Sequence, residues 1–204
     1  VVPLDSYLTA SPGLIADIRP HLRAFCTFSG PNGGAEHTYY IPHLYETMLI
    51  FYNTKMFQKA GIPRPAEDWS WDDFLKVATQ LTSGTGSNRL WGYGHAWADF
   101  QLEPWFYTNA TSQMTHDLKH ANFTDPKFIE SVTFIRDLVT RYKVAPNPIG
   151  YNENDEFAAG KVAMVGGGHY VIQTLNAANF HDYDVVPWPK KRVSQTIYGV
   201  AGWS

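Results

Sequence analysis

Residues 40–62 read YIPHLYETMLIFYNTKMFQKAGI, and the fold prediction depends on this stretch. Its centre, residues 48–52, is apolar on both faces, which is typical of a strand in a sheet covered by helices. A short helix is predicted over residues 54–60, because a glycine follows it. A strand is also predicted over residues 38–41, where Pro42 stops it. The stretch therefore predicts strands and helices in alternation.

The middle of the chain continues this alternation. Ser70 and Asp73 fit a capping box, so a helix is predicted over residues 71–82. Asp125 followed by Pro126 indicates another helix start, an N-cap with proline at the first helical position. Further elements predicted here are a strand over residues 90–95 and helices over residues 101–109 and 125–142.

The last third of the chain repeats the pattern. A helix ending at Ala159 is followed by a strand over residues 161–165 and a glycine turn over residues 166–168. A further helix is predicted to start at His169. The remaining predicted strands cover residues 183–187 and 197–203.

This order of elements predicts an α/β fold with a mixed sheet flanked by helices. The strands at 48–53, 90–95 and 161–165 are expected in one sheet, and the helices at 71–82 and 125–142 beside it. In sheets of this kind the ligand site lies in the loops that follow the carboxyl ends of the strands.

Composition limits the classes of protein that the chain can be. Its 204 residues are 44% hydrophobic and 17% charged, which is typical of globular proteins and excludes disorder. The formal net charge is -3 and no basic run occurs, so no nucleic-acid partner is expected. No apolar run is long enough for a membrane span, and the first residues do not have the pattern of an export signal.

Metal, cofactor and nucleophile sites are not predicted. Cys26 is the single cysteine, so an internal disulfide is excluded, and its phenylalanine neighbours favour a buried structural thiol. His116 and His120 are four residues apart without a third ligand, and exposed histidines are therefore predicted. The glycines over 166–168 lack both the lysine of a P-loop and the third glycine of a Rossmann motif. No cofactor is expected.

Aromatic residues suggest a ligand. Trp97, Trp105, Tyr170 and Trp203 lie within or beside predicted strand-to-helix junctions. An aromatic face packs on the apolar patches of a sugar ring, while carboxylates and amides bind the hydroxyls. Ordinary core packing explains each of these aromatics as well, and both interpretations stay open. The two function hypotheses are a carbohydrate-binding protein and a sugar-processing enzyme that uses two of the nineteen acids.

A family resemblance separates these hypotheses. Residues 40–62, followed by WSWDDF at 69–74, closely resemble the family-1 extracellular solute-binding proteins of ABC importers, the maltose-binding-protein-like group. The family's opening strands and C-terminal helices have no counterpart, so the chain resembles an excised middle. The resemblance covers nearly the whole chain, is weakest over residues 1–36 and 111–123, and includes three later stretches in the expected order, FAAGKVAM at 157–164, YDVVP at 183–187 and GVAGW at 199–203.

The resemblance implies a periplasmic-binding-protein-like (type II) fold, in which two α/β lobes close on a sugar, oligosaccharide or related solute. Residues 1–45 would be an N-lobe remnant with a crossing strand, 46–198 most of the C-lobe, and 199–204 the return crossing. The implied partners are a carbohydrate-like solute and the ABC permease membrane subunits. The resemblance further implies binding without catalysis, a periplasmic or lipid-anchored cell-surface location, and a monomer at full length.

The resemblance also implies ligand contacts at particular positions. Glu46 matches a ligand-facing acid in the crossing segment, and Tyr170 matches a position where the family often has a tryptophan that stacks on the sugar. Trp203 matches the tryptophan of a hinge motif, in which Ala201 replaces the first glycine. Further candidate contacts are His43, Trp97, Asp99, Glu103 and His169.

Overall fold

The structure is a computed structural model that describes residues 2–29, 33–95, 99–196 and 198–203. The chain divides into two compact units, one formed by residues 1–46 and 198–204 and the other by residues 47–197. No helix in the described ranges combines the length and the apolar character needed to cross a membrane. The strands are β1 (Thr27–Ser29), β2 (Glu36–Thr38), β3 (Ile41–Thr47), β4 (Leu49–Asn53), β5 (Met164–Gly167), β6 (Tyr183–Val186) and β7 (Tyr198–Trp203). The helices are α1 (Asp5–Ala10), α2 (Gly13–Ala16), α3 (Pro20–Ala24), α4 (Thr54–Lys59), α5 (Trp71–Leu81), α6 (Asp99–Tyr107), α7 (Pro126–Thr140), α8 (Glu153–Ala158) and α9 (Tyr170–Ala177).

The first unit contains two small sheets. In one, β1 and β2 are antiparallel, with Thr27 opposite Thr38. Asp5 at the start of α1 accepts a hydrogen bond from the Thr38 backbone N–H at 3.2 Å and contacts His37 Nδ1 at 2.9 Å. The Thr38 bond is the main reason that the pKa of Asp5 lies below its usual value. These contacts join α1 to the first sheet.

The second sheet of this unit pairs β3 with β7. Pro42 lies inside β3, so the prediction that it stops a strand at residue 41 is wrong. Among the described strands β3 is paired only with β7, and a strand with one unpaired edge tolerates a residue that has no backbone N–H. The chain enters and leaves the second unit through these two paired strands.

Cys26 and the histidine pair agree with their predictions. The Cys26 thiol is buried and donates to the Leu22 carbonyl at 3.4 Å, and burial raises its pKa. This confirms a structural cysteine. His116 and His120 are both exposed, in a hairpin closed by the bridge between Met114 and Ala121, which confirms that they are surface residues.

The second unit is built on one sheet in which β4 lies between β5 and β6 and is antiparallel to both. Residues 91–94 lie beside β5 in parallel, through the bridges Trp91 to Val162 and Gly94 to Val165. The prediction that three segments share one sheet is therefore confirmed. The segment at 90–95, however, is joined at isolated bridges and is not a continuous strand.

Glycines in this sheet admit close packing. A Cβ on Gly92 would lie 2.0 Å from the Ala78 carbonyl oxygen of α5, and a Cβ on Gly166 would lie 2.2 Å from the Trp188 ring. The predicted glycine turn is wrong for Gly166 and Gly167, because both belong to β5. The strand begins three residues later and ends two residues later than predicted, and the absence of side chains at Gly166 and Gly167 makes room for Trp188 and Val171.

The helices predicted from local capping signals are present in the structure. Ser70 and Asp73 form the capping box of α5 with bonds in both directions, and Asp125 caps α7 by accepting from the Lys127 N–H at 2.7 Å. Both flanking helices are thus confirmed, although α7 ends at Thr140, two residues early. Helix α6 begins and ends two residues before its predicted bounds.

The core of the second unit is rich in aromatic side chains. Trp105 is fully buried and meets the Trp71 and Trp188 rings edge to face, at centroid distances of 5.6 and 5.3 Å. Trp105 is therefore a core residue, and the interpretation that places it on the ligand side is wrong. A second cluster, which includes Phe51 and Phe157, lies against β5 and α9.

Candidate functional site

The candidate site lies at one end of the sheet of the second unit. Residues 91–94 and 162–165 run in the same direction, so the segments that follow them leave the sheet at the same end. Those segments lead into α6 and α9. Ligands of α/β proteins bind at this end of a sheet, which makes the first turns of these two helices the place to search.

Tyr170 is the first residue of α9 and lies at this end. It is half-buried and packs against both core clusters. The edge-to-face contact of its ring with Phe100 has a centroid distance of 5.8 Å and an interplanar angle of 86°. A Cβ on Gly167 would lie 3.3 Å from the Tyr170 hydroxyl, so the side chain lies across β5. Tyr170 therefore packs against the core while the residue as a whole stays partly exposed.

A buried polar network holds the Tyr170 hydroxyl. Gln101 Nε2 donates toward Tyr170 Oη at 3.3 Å, the Gly166 carbonyl at 3.1 Å and Glu153 Oε1 at 3.0 Å. Gln101 and Glu153 are 3% and 7% exposed, so these groups depend on one another for hydrogen bonds. Asn154 Nδ2 adds a further bond to Glu153 Oε1 at 3.2 Å.

Burial dominates the electrostatics around this network. It raises the pKa of Tyr93 and of Tyr151, with the Glu153 charge as a smaller cause in both, so both phenols stay neutral at ordinary pH. Burial also lowers the pKa of His95 to about 4, which keeps that ring neutral at pH 7. The Tyr151 hydroxyl is buried without a hydrogen-bond partner among the described atoms. Burial therefore keeps the rings of Tyr93, Tyr151 and His95 uncharged at neutral pH.

The other predicted site residues lie in several elements. His169 is exposed at the N-cap of α9, where its side chain makes no capping bond, and Glu103 is half-buried in α6. Glu103 also raises the pKa of Tyr107, although burial is the larger cause. Glu46 is half-buried in β3, in the first unit. His43 lies in β3, Asp99 in α6 and Trp203 in β7, while Trp97 falls outside the described residues.

Sequence reasoning missed Phe100 and Gln101, which contact Tyr170, and Glu153, which bonds to Gln101. One signal was available for Gln101, because it shares a helical stripe with Pro104, Trp105 and Thr108, all of them buried. A polar residue on an otherwise buried stripe indicates a partner inside the protein. Glu153 gave no such signal, because an acid in the first turn of a helix is common on the surface.

The network combines one carboxylate with amide, carbonyl and phenol groups. Glycoside hydrolysis needs two carboxyl groups beside the bond that breaks, whereas the described hydrogen bonds of the network include one carboxylate, Glu153. In the described ranges no group of three or more His, Cys, Asp or Glu side chains is placed to hold a metal ion.

Solved structures share this fold. An ABC transporter solute-binding protein from Thermotoga lettingae, bound with alpha-D-tagatose, is 26% identical, with a TM-score of 0.83 over 98% of this chain and 52% of that one. An ABC substrate-binding protein of Listeria monocytogenes in complex with cycloalternan is 24% identical, with a TM-score of 0.83 over 99% of this chain and 51% of that one. UgpB of Mycobacterium tuberculosis, in complex with glycerophosphocholine, is 20% identical, with a TM-score of 0.78 over 99% of this chain and 49% of that one.

This chain thus spans about half the length of the solved proteins that it resembles. The family model described as bacterial extracellular solute-binding protein matches residues 1–204. Family and fold are those of proteins that bind solutes without converting them. The chain belongs to the family of bacterial extracellular solute-binding proteins.

Proposed function

We propose that this chain carries part of the ligand site of an ABC importer's solute-binding component, and that the solute is a sugar or an oligosaccharide-like molecule. The observation that carries this proposal is the half-buried Tyr170, whose ring meets Phe100 edge to face and whose hydroxyl meets Gln101, at the end of the sheet where α6 and α9 begin. A fixed aromatic face suits a sugar ring, whose apolar C–H patches stack on it while polar side chains of the site bind its hydroxyls. The sugar-bound Thermotoga protein, with a similar fold, supports the same ligand class.

The remaining contacts are proposed from the family resemblance. Glu46 would accept bonds from sugar hydroxyls, and Trp203 would lie near the hinge between lobes. His43, Trp97, Asp99, Glu103 and His169 complete the proposed set. Residues 1–45 would belong to the N-lobe with its crossing strand, residues 46–198 to the C-lobe and residues 199–204 to the return crossing.

The proposed setting is the outside of the cytoplasmic membrane. The family is described as extracellular, which supports a periplasmic location or a lipid-anchored one at the cell surface. The membrane permease subunits would receive the solute, and the protein would act as a monomer. No cofactor enters this scheme.

A thermal-shift screen tests the ligand class. The protein at its natural length is heated with single monosaccharides and disaccharides, and with glycerophosphocholine as a comparison ligand of another class. A ligand present at 100 times its Kd adds about 2.7 kcal/mol of stability, which is a clear shift of the melting temperature. Chromatography of the recovered sugar separates the two hypotheses, because an enzyme of the glycosidase kind would leave cleaved products.

A pair of variants tests the stacking residue. Tyr170→Ala should weaken sugar binding by about 0.5–1.5 kcal/mol, since it removes an aromatic contact. Tyr183→Ala is the control, because Tyr183 is also half-buried but lies in β6, on the other side of β4 from β5. Both variants should lose some stability, and only the first should lose affinity. Equal affinity in the wild type and Tyr170→Ala would count against the proposed site.

A further inference from the structure

Gln101 joins four elements at a buried point. Its side-chain amide extends from α6 and reaches Glu153 at the start of α8, Gly166 in β5 and Tyr170 at the start of α9. The amide nitrogen has two hydrogens and faces three oxygen acceptors, so the bonds are shared among them. Gln101 is 3% exposed, and these hydrogen bonds therefore lie in the packed interior.

The acceptors fix the orientation of the amide. The Gly166 carbonyl can only accept hydrogen bonds, and Glu153 Oε1 also accepts from the Asn154 amide. The nitrogen of Gln101 must therefore face these groups, which leaves its oxygen turned away from them. In this orientation the third contact places an N–H against Tyr170 Oη at 3.3 Å. Glu153 thus sets the direction of the bond that reaches Tyr170.

The contacts of Tyr170 act at separate parts of its side chain. The hydroxyl meets Gln101, the ring packs edge to face with the Phe100 ring, and the backbone belongs to the first turn of α9. A ring held at its far end cannot exchange rotamers without breaking the contact with the buried amide. Binding that needs one ring position costs less when that position is already fixed.

From these hydrogen bonds we infer that Gln101 is a positioning residue, which fixes the Tyr170 ring for solute binding without touching the solute. The inference rests on the proposed function, because it assigns a ligand contact to Tyr170. It adds a residue pair, Gln101 and Glu153, through which the site is organised from inside the protein. The solute class remains a sugar with an apolar ring face.

A fluorine label measures the position of the ring directly. With 3-fluorotyrosine at position 170, Gln101→Met should shift or broaden the 19F resonance, because the hydroxyl loses its hydrogen bond from the Gln101 amide. Gln173→Met is the matched control, an exposed glutamine on the same helix, and it should leave the resonance unchanged. A resonance that is the same in Gln101→Met and in the wild type would overturn the inference, whatever the protein binds.

A double-mutant cycle measures the effect on binding. Tyr170→Phe keeps the ring and the bonds of Gln101 to Glu153 and Gly166, so it should fold. It should weaken sugar affinity about two- to tenfold, as expected for the loss of one hydrogen bond. Gln101→Met should weaken affinity by a similar factor in the wild type and have little further effect in Tyr170→Phe.

The outcomes separate the two proposals. An equal loss of affinity on Gln101→Met in both backgrounds would overturn the positioning role. A wild type that binds no sugar would refute the proposed function, while the fluorine measurement would still decide whether Gln101 fixes Tyr170. A loss of melting temperature in Gln101→Met, with neither fluorine nor affinity change, would make Gln101 a structural residue only.

Discussion

Replacing Gly166 by alanine is expected to destabilise the protein, because the new methyl group would overlap a buried ring. The added Cβ would lie 2.2 and 2.6 Å from the Trp188 ring atoms Cη2 and Cζ3. Ordinary carbon contacts are at about 3.5–4.0 Å, so the ring must move by more than 1 Å. Trp188 is 2% exposed and packs on Trp105, which leaves it little room.

The magnitude follows from two opposing effects. Overpacking a close-packed core costs about 1–3 kcal/mol. A glycine-to-alanine change also stabilises the protein by about 0.4–1 kcal/mol, because it reduces the conformational entropy of the unfolded chain. Because the overlap is with a buried ring, the cost lies in the upper half of the overpacking range, about 2–3 kcal/mol, and the net loss expected for Gly166→Ala is about 1–2.6 kcal/mol. In a protein of this size the melting temperature should fall by about 2–10 °C.

Urea denaturation followed by tryptophan fluorescence measures this loss. Gly13→Ala is the control, because a Cβ there would have no heavy atom within 4 Å, and its stability should equal or slightly exceed that of the wild type. Combining Gly166→Ala with Trp188→Phe should cost less than the sum of the single changes, since the smaller ring relieves the overlap. A Gly166→Ala protein as stable as the wild type would refute close packing as the reason for glycine in β5.

Three further outcomes are expected. His95 has a pKa of about 4 in the folded protein and about 6.5 in the unfolded chain, so the unfolded chain takes up a proton first as the pH falls. The free energy of unfolding should therefore decrease between pH 6.5 and pH 4, by up to about 1.4 kcal/mol per pH unit. Urea denaturation of His95→Gln at several pH values should lack this slope, and the same slope in the variant and the wild type would contradict the role of His95. Ser70→Ala should cost about 0.5–2 kcal/mol through loss of the capping box, against a negligible cost for the exposed Ser87→Ala. If, as proposed, the site is formed between two lobes, calorimetry should give weaker sugar binding for these 204 residues alone than for a protein that contains both lobes, because one lobe cannot exclude water. Equal affinities would mean that these residues form the whole site.

The elements that the sequence predicted well are those whose signals are local. The capping box of Ser70 and Asp73 and the Asp125-Pro126 start each depend on a few adjacent residues, and the structure has both helices. The errors concern contacts between distant residues. Gly166 looks like a turn beside an apolar strand, and only the Trp188 ring, 22 positions later, explains it as strand.

The residues of the candidate site also differ in how far the sequence reveals them. Tyr170 could be proposed from its place at the start of a predicted helix that directly follows a run of glycines. Gln101 and Glu153 could not be paired from sequence, because their contact joins two helices 52 residues apart. Buried polar pairs of this kind depend on the tertiary structure, and polar composition alone does not reveal them.

The pairing of β3 with β7 has a consequence for folding kinetics. These strands enclose about 150 residues, and closing so long a loop in an unfolded chain carries a large entropy cost. The enclosed unit has its own sheet and core, so its collapse would bring the two strands together before they pair. The β3–β7 sheet is therefore expected to form late, and mutations in it should speed unfolding more than they slow folding.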